Sequence, residues 1–179
     1  NKAKVKKLIK LQGELSSQIK LTEKEISELE SRGQEINNEI VSSSGGGSYN
    51  GSKMAWPVIG YTNLSSKFGY RIHPISGEKK LHTGIDIPAP AGTPVVAANS
   101  GTVIISRYDN SYGNMVAIDH GGGIVSFYAH NTERLVKVGD KVSKGQKIST
   151  VGTTGYSTGN HLHFEVKKNG TFVDPMNYL

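Results

Sequence analysis

Residues 161–166, His-Leu-His-Phe-Glu-Val, alternate strictly between polar and apolar side chains. Successive side chains of a β-strand point to opposite faces of a sheet, so this stretch is typical of a strand with one face in a core. The pattern predicts an apolar face of Leu162, Phe164 and Val166 and a polar face of His161, His163 and Glu165. Two imidazoles then share one surface, where neutral imidazole can serve as a zinc ligand or as a general base near neutral pH.

The chain after residue 53 carries the turn signals of antiparallel β-structure. Glycine- and asparagine-rich turns at 99–101, 121–123 and 168–170 separate short β-branched stretches, which is a hairpin pattern. The predicted strand pairs are Val95–Ala98 with Thr102–Ser106, Met115–Asp119 with Ile124–His130, and His161–Val166 with Thr171–Val173. The predicted fold class is therefore mainly β and antiparallel.

A second histidine-containing stretch, His82-Thr83-Gly84-Ile85-Asp86, could complete a site with the first. A straight strand would hold His82 and Asp86 about 13 Å apart, so sharing one ion requires a bend, which Gly84 would permit. On the predicted strand 124–130, alternation assigns Val125, Phe127 and Ala129 to the core and Ser126, Tyr128 and His130 to the polar surface. Spacing alone leaves a metal site and a set of structural histidines both open.

Composition narrows the chemistry of such a site. The sequence contains no cysteine, which excludes disulfides, thiolate zinc sites and cysteine nucleophiles. Any metal must then be held by histidine and carboxylate. The formal charge of +6 is diffuse and suits a polyanionic surface such as a cell wall or membrane. No basic motif studded with aromatic residues is present, so we expect no nucleic-acid partner.

The first 41 residues have a heptad pattern. Its apolar a and d positions are Val5, Leu8, Leu15, Ile19, Ile26, Leu29, Ile36 and Ile40, and its exceptions are Gln12, Thr22 and Gly33. This pattern predicts a coiled-coil helix over 1–41 whose partner is another copy, an upstream segment or a membrane regulator. A single amphipathic helix lying on the domain is the alternative. The Gly/Ser-rich stretch 42–53 predicts a flexible linker, and 54–179 then form the second domain.

Four motifs follow one another along this second domain: Ser-Lys-Phe-Gly-Tyr-Arg-Ile-His-Pro at 66–74, His-Thr-Gly-Ile-Asp at 82–86, Tyr-Ala-His at 128–130 and Gly-Asn-His-Leu-His-Phe at 159–164. Together they closely resemble the M23 family of zinc metallopeptidases, the lysostaphin-type or LytM-type peptidoglycan endopeptidases. The resemblance covers nearly everything from Trp56 to Leu179. It implies an antiparallel, barrel-like β-domain built on a duplicated hybrid motif.

The resemblance also implies a role for each site residue. His82 and Asp86 of the H-x-x-x-D motif and His163 of the H-x-H motif would be the ligands of one zinc ion, while His130 and His161 would be catalytic. Three protein ligands leave a fourth tetrahedral position open, as in catalytic zinc sites. The sequence has no H-E-x-x-H helix whose glutamate could take a proton, so we expect an imidazole to do so, and either His130 or His161 fits. Glu165 is open to two interpretations, a partner that orients a ligand and a solvated strand residue.

These expectations favour a secreted or wall-facing bacterial enzyme, a zinc endopeptidase that hydrolyses stem or cross-bridge peptides of peptidoglycan. The chain begins at Asn1 without a signal peptide, so we expect it to be an excerpt of a longer protein. The alternative function is a non-catalytic wall-binding or regulatory protein that activates other cell-wall hydrolases. Inactive members of the family typically lack some motif residues, and here all five positions are filled.

Overall fold

The computed structural model describes residues 4, 7, 9–19, 22, 24, 25, 27, 49–72 and 79–179. Within the described residues, the second domain consists of twelve strands and one short 3-10 helix. The strands are β1 Gly69–Ile72, β2 Lys79–His82, β3 Ile85–Pro88, β4 Pro94–Val96, β5 Gly101–Asp109, β6 Gly113–Asp119, β7 Ile124–Asn131, β8 Glu133–Arg134, β9 Lys141–Val142, β10 Lys147–Thr150, β11 His161–Lys168 and β12 Thr171–Val173, and the 3-10 helix is Pro175–Asn177.

The strands form one large sheet and two small ones. The large sheet has the order β12-β11-β7-β6-β5-β9, and β3 pairs with β11 on the edge that β12 also uses. The small sheets are the β1-β2 hairpin and the order β4-β10-β8. Every strand pairing recorded for the described residues is antiparallel, which confirms the predicted fold class.

The core lies between one face of the large sheet and the small β4-β10-β8 sheet. Leu162, Phe164 and Val166 of β11 are fully buried in it, which confirms the alternation predicted for this strand. Val95 and Ile148 of the small sheet belong to the same cluster. The opposite face of β11 consequently presents His161, His163 and Glu165 together.

The faces predicted for β7 are wrong. The register pairs Tyr128 with Phe164 and Phe127 with Glu165, so Tyr128 lies on the core face and Phe127 on the face of the site. Tyr128 is fully buried and its hydroxyl accepts a 2.7 Å hydrogen bond from the Ala98 N–H, so it is unavailable to a substrate. His130 escapes this alternation because its φ of 61° lies in the left-handed region, which turns the chain at the end of the strand.

The first predicted hairpin, between 95–98 and 102–106, is also wrong. β4 pairs with β10, whereas β5 pairs with β6 and β9, so the turn between them carries the chain from one sheet to another. Gly101 allows this crossing, because a Cβ there would lie 2.3 Å from the Asp119 carbonyl oxygen. The hairpins β6-β7 and β11-β12 form as predicted.

The chain divides into two compact units, 1–39 and 40–179. The first is helical wherever it is described, including all of 9–19. Leu15 and Ile19 are exposed there, and no helix in the described residues is both long and apolar enough to span a membrane. The heptad positions Val5, Leu8, Ile26, Leu29, Ile36 and Ile40, with Gly33, lie outside the described residues, as do most of the predicted linker and His73.

The last residues of the predicted linker contact the β-domain. Tyr49 packs against the core cluster, and its hydroxyl donates a 2.6 Å hydrogen bond to the Ser52 carbonyl. Met54 is buried, and its N–H donates to the Tyr178 carbonyl at 2.7 Å. The packed domain thus includes residues from Tyr49 onward, a few positions before the boundary expected from composition.

Candidate metal centre

A corner at Thr83 and Gly84 brings the first two candidate ligands together. β2 ends at His82 and β3 begins at Ile85, so the chain bends as predicted, and His82 Nε2 lies 3.3 Å from Asp86 Oδ1. The β3-β11 register places Asp86 directly opposite His163, and paired residues of neighbouring strands share a face. Residues from three strands therefore meet at one point.

The three candidate ligand atoms form a small triangle. His163 Nδ1 lies 2.7 Å from Asp86 Oδ1 and 3.3 Å from His82 Nε2. A tetrahedral zinc ion with bonds of about 2.0–2.1 Å separates its ligands by roughly 3.3 Å, which two sides of the triangle match. In the described part of the chain, the ligand atoms of these three residues all lie within 4.8 Å of one another. The residues present fit a zinc ion held by two imidazoles and one carboxylate.

Hydrogen bonds on the far side of each ring determine which nitrogen faces the triangle. His82 Nδ1 lies 2.8 Å from the Lys67 carbonyl oxygen, which can only accept, so Nδ1 carries the proton and Nε2 presents its lone pair. His163 uses the opposite nitrogens, because its Nε2 lies 2.9 Å from Glu165 Oε1. Both ligand histidines are thereby oriented by a partner outside the triangle, as is usual in metal sites.

The two carboxylates create a demand for positive charge at this point. Burial alone would lower the pKa of His163, but its hydrogen bonds to Asp86 and Glu165 and their negative charges raise it to about 10. Burial would conversely raise the pKa of Asp86, yet the bonds and charges of His163 and His82 hold it well below its usual range. A cation between these groups satisfies that demand, and a metal ion and a proton would compete for it.

Two further histidines adjoin the triangle. The His161 ring lies 4.8 Å from that of His130, and its Nε2 is 3.6 Å from Asp86 Oδ1. His161 Nδ1 lies 2.8 Å from the Gly159 carbonyl oxygen and His130 Nδ1 lies 2.8 Å from the Thr154 carbonyl oxygen, so both rings donate from Nδ1. Proton exchange with a substrate would then use Nε2 of each ring. Side-chain exposures of 17% for His161 and 13% for Asp86 leave the centre open to water.

His130 lies in the less polar part of this cluster. Burial is the main cause that lowers its pKa to about 4, and the neighbouring His163 and His161 add to the effect. The hydrogen bond to the Thr154 carbonyl works in the opposite direction. His130 is consequently neutral at neutral pH and able to accept a proton.

The structure brings together all five residues that the sequence singled out, and it adds groups that sequence reasoning missed. Glu165 is fully buried, which excludes the solvated alternative. Thr83 donates a 2.5 Å hydrogen bond to Glu165 Oε1, and the Tyr112 hydroxyl donates to the same oxygen at 3.3 Å. The sequence could have suggested Thr83, because it lies inside the H-x-x-x-D motif. Tyr112 lies in the turn between β5 and β6, outside all four motifs, so the sequence did not connect it with the site.

Gly84 allows the corner for a reason other than the backbone freedom predicted for it. Its φ is not in the left-handed region, but a Cβ would lie 2.4 Å from the Phe164 carbonyl oxygen and 2.9 Å from Glu165 Cγ.

We expect Gly84→Ala to lower the free energy of unfolding by about 1–3 kcal/mol and to weaken metal binding, because β3 must shift from β11. Urea unfolding measures this. Gly159→Ala is the matched control, since a Cβ there meets nothing within 4 Å; an equal loss in both variants would contradict the prediction.

Comparison with known proteins finds relatives of this chain among named bacterial endopeptidases. The DD-carboxypeptidase/endopeptidase Mpg of Neisseria meningitidis is 46% identical over 120 residues, which are 67% of this chain and 27% of that protein. The peptidoglycan DD-endopeptidase ShyC of Vibrio cholerae is 43% identical over 118 residues, or 65% of this chain and 27% of that protein. The chain thus spans about a quarter of the length of these relatives.

Solved structures have the same fold. The catalytic domain of lysostaphin from Staphylococcus simulans superposes with a TM-score of 0.60 at 35% identity, covering 66% of this chain and 91% of that domain. A zinc-containing peptidase from Vibrio cholerae gives a TM-score of 0.64 at 36% identity, covering 73% and 40% respectively. The sequence profile of peptidase family M23 matches residues 80–175, more than half of the chain and all five residues of the centre. The chain therefore belongs to peptidase family M23.

Proposed function

We propose that this chain is a zinc-dependent endopeptidase that hydrolyses peptide bonds in the stem or cross-bridge peptides of bacterial peptidoglycan. His82, Asp86 and His163 hold one zinc ion, and His130 and His161 perform the proton transfers. One observation carries the proposal: two imidazoles that are not in the ligand triangle lie beside it, each with Nδ1 bonded to a backbone carbonyl and Nε2 left for proton exchange. A purely structural metal site would be closed by a fourth ligand and would need neither of them.

The chain's own residues supply the general acid–base chemistry. When bound, zinc would supply a Lewis acid that polarises the scissile carbonyl and eases the ionisation of water. One of His130 and His161 accepts a proton from the attacking water on Nε2, so that the water oxygen bonds to the carbonyl carbon. The same imidazole then returns the proton to the leaving amine as the C–N bond breaks. The other imidazole, once its Nε2 has taken a proton from solvent, can donate a hydrogen bond to the oxyanion.

The relatives support the substrate class. Both curated relatives described above carry an endopeptidase activity in their names, and one is named for peptidoglycan. Peptidoglycan lies outside the cytoplasm, so we place the domain there, secreted or associated with the wall. The net charge of +6 suits association with a polyanionic wall.

Digestion of purified peptidoglycan tests the proposal. The chain should clear a wall suspension when one equivalent of zinc is present, lose this activity in a chelator and regain it when zinc is restored. Binding to the wall without release of fragments would instead fit the non-catalytic, regulatory alternative. Clearing that is unaffected by the chelator would contradict a zinc enzyme.

Two architectural predictions accompany this function. Residues 54–179 form a barrel-like peptidase domain with a duplicated hybrid motif, and 1–41 form a coiled-coil helix joined to it by the linker 42–53, whose last residues from Tyr49 onward pack on the domain. The exposure of Leu15 and Ile19 in the single chain supports a helical partner, since both are heptad core positions. We propose that this partner is a second copy, an upstream segment or a membrane regulator, and that the helix targets or regulates the enzyme.

A shortened chain tests the separation of helix and chemistry. We expect residues 49–179 to fold, bind one zinc ion and digest wall at least as fast as the full chain, because all five site residues lie in the β-domain. The start at Tyr49 keeps the contact between this side chain and the core. Thermal unfolding, zinc content and digestion rate of both chains are compared. A shortened chain that is unfolded or metal-free would make the helix part of the catalytic fold.

A further inference from the structure

Glu165 is a buried carboxylate whose position calls for an explanation. It is fully buried on the site face of β11, and removing a carboxylate from water is costly unless hydrogen bonds and charges compensate. Its Oε1 atom lies within hydrogen-bonding distance of three groups, His163 Nε2 at 2.9 Å, Thr83 Oγ1 at 2.5 Å and the Tyr112 hydroxyl at 3.3 Å. Its Oε2 atom has no hydrogen-bond partner in the described part of the chain.

Three donors on one oxygen determine the direction of each hydrogen bond. Thr83 and Tyr112 donate their hydroxyl protons to Oε1, and the same accepting oxygen faces His163 Nε2, which can then only donate to it. His163 therefore carries a proton on Nε2. Its Nδ1 atom is turned to the triangle, 2.7 Å from Asp86 Oδ1. In the described part of the chain, Glu165 Oε1 is the acceptor behind the His163 ring, and without it neither tautomer would be favoured from that side.

Thr83 connects the same oxygen to the other half of the site. It lies between His82 and Asp86 in the chain, so its hydroxyl ties the corner that carries two candidate ligands to the strand that carries the third. Gly84 follows it and leaves the space that Glu165 Cγ and the Phe164 carbonyl occupy. The Thr-Gly pair of the H-x-x-x-D motif is thereby accounted for by two consecutive residues of β11, Phe164 and Glu165.

We propose that Glu165 is a positioning residue that, with Thr83 and Tyr112, holds His163 in the Nε2–H tautomer and so selects Nδ1 as the metal ligand. This inference rests on the proposed zinc site, because it assigns the origin of that site's geometry. Glu165 itself touches neither metal nor substrate in this assignment. Replacing Glu165 should therefore change the free energy of zinc binding more than the free energy of unfolding.

Zinc affinity of the full chain, measured by competition with a chelator, tests the proposal beside the unfolding temperature. Glu165→Gln keeps the size of the side chain but loses the charge, and we expect zinc binding about 10- to 100-fold weaker. Thr83→Val replaces the hydroxyl with a methyl group and should weaken zinc binding less than Glu165→Gln does. Thr83→Ser retains the hydroxyl and should bind zinc like the native chain. Ser126→Ala is the control, because Ser126 is buried on the core face of the same sheet and hydrogen-bonds Tyr128.

The native chain separates failure of this inference from failure of the proposed function. If the native chain binds no zinc, the proposed site itself is wrong. If it binds zinc and the folded Glu165→Gln and Thr83→Val variants bind within twofold of it, Glu165 is merely structural and the inference is overturned. Should Glu165→Gln fail to fold, the valine and serine variants at Thr83 decide: weakened binding that serine restores supports the inference, and unchanged binding overturns it.

Nitrogen NMR of the zinc-loaded chain provides a readout that a structural role would not move. Long-range proton–nitrogen correlations of His163 should show the proton on Nε2 and the metal on Nδ1. His82 should show the reverse, because its Nδ1 is held by the Lys67 carbonyl. A proton on Nδ1 of His163 in the loaded native chain would overturn the assignment.

Discussion

Replacing Asp86 with alanine is expected to abolish stoichiometric zinc binding and wall digestion while the β-domain stays folded. Asp86 Oδ1 is the atom that the histidines share, at 2.7 Å from His163 Nδ1, 3.3 Å from His82 Nε2 and 3.6 Å from His161 Nε2. Its loss leaves two imidazoles without the carboxylate that they share. The fall in affinity should exceed the 10- to 100-fold that is typical of changes in the groups behind the ligands.

The fold should survive this change because Asp86 is held in place through its backbone. Its N–H donates to the Ser66 carbonyl at 2.9 Å, and its own carbonyl accepts from the Ser65 N–H at 3.0 Å. Neither bond needs the side chain. Elemental analysis measures zinc, and Asp140→Ala, which removes a carboxylate from an exposed turn, is the control. Full zinc content in Asp86→Ala would show that the ligand assignment is wrong.

Loss of either histidine proposed for proton transfer, His130 or His161, should reduce the rate of wall digestion by about 100- to 10,000-fold and leave zinc in place. Neither ring belongs to the ligand triangle, both lie beside it, and in each the Nδ1 atom is bonded to a backbone carbonyl, so Nε2 is left for proton exchange. His161→Ala is the direct variant. At His130 the φ of 61° makes asparagine the better replacement, because asparagine adopts left-handed backbone more readily than alanine.

A third histidine provides the control for these variants. His120 is buried outside the centre, with Nε2 2.7 Å from the Ser126 hydroxyl and Nδ1 2.9 Å from the Ser100 carbonyl oxygen. His120→Gln should lower the unfolding temperature without changing zinc content or the rate of the folded fraction. An undiminished rate in the folded His130 or His161 variant would remove that residue from the mechanism.

Sequence reasoning succeeded where a single strand or a local motif carries the information. The alternation of 161–166 predicted which side chains of β11 enter the core, because the register of one regular strand is enough to decide it. The spacing of His82 and Asp86 required a bend, and the structure has one. The ligand and catalytic roles came from resemblance to the family, since spacing alone also allowed structural histidines, and they stay predictions.

The failures have a common physical origin in backbone conformation and long-range contact. Strict alternation predicted that Tyr128 and His130 lie on the same face of β7. Tyr128 instead lies on the core face, and the left-handed φ of His130 turns the end of the strand so that only His130 reaches the site. The turn at 99–101 resembles a hairpin but crosses between sheets. The acceptors that fix His82, His130 and His161 are the backbone carbonyls of Lys67, Thr154 and Gly159, and a backbone carbonyl leaves no trace in sequence.

Mass spectrometry of the fragments released from purified peptidoglycan tests the central claim most directly. The zinc-loaded chain should release peptides that carry a new amine and a new carboxyl end, each cut adding one water, and the zinc-stripped chain and His161→Ala should release almost none. The site of the new ends also identifies the bond that is cleaved. Fragments cut only in the glycan, or peptide cuts that persist without zinc, would contradict the assignment of this chain as a zinc endopeptidase.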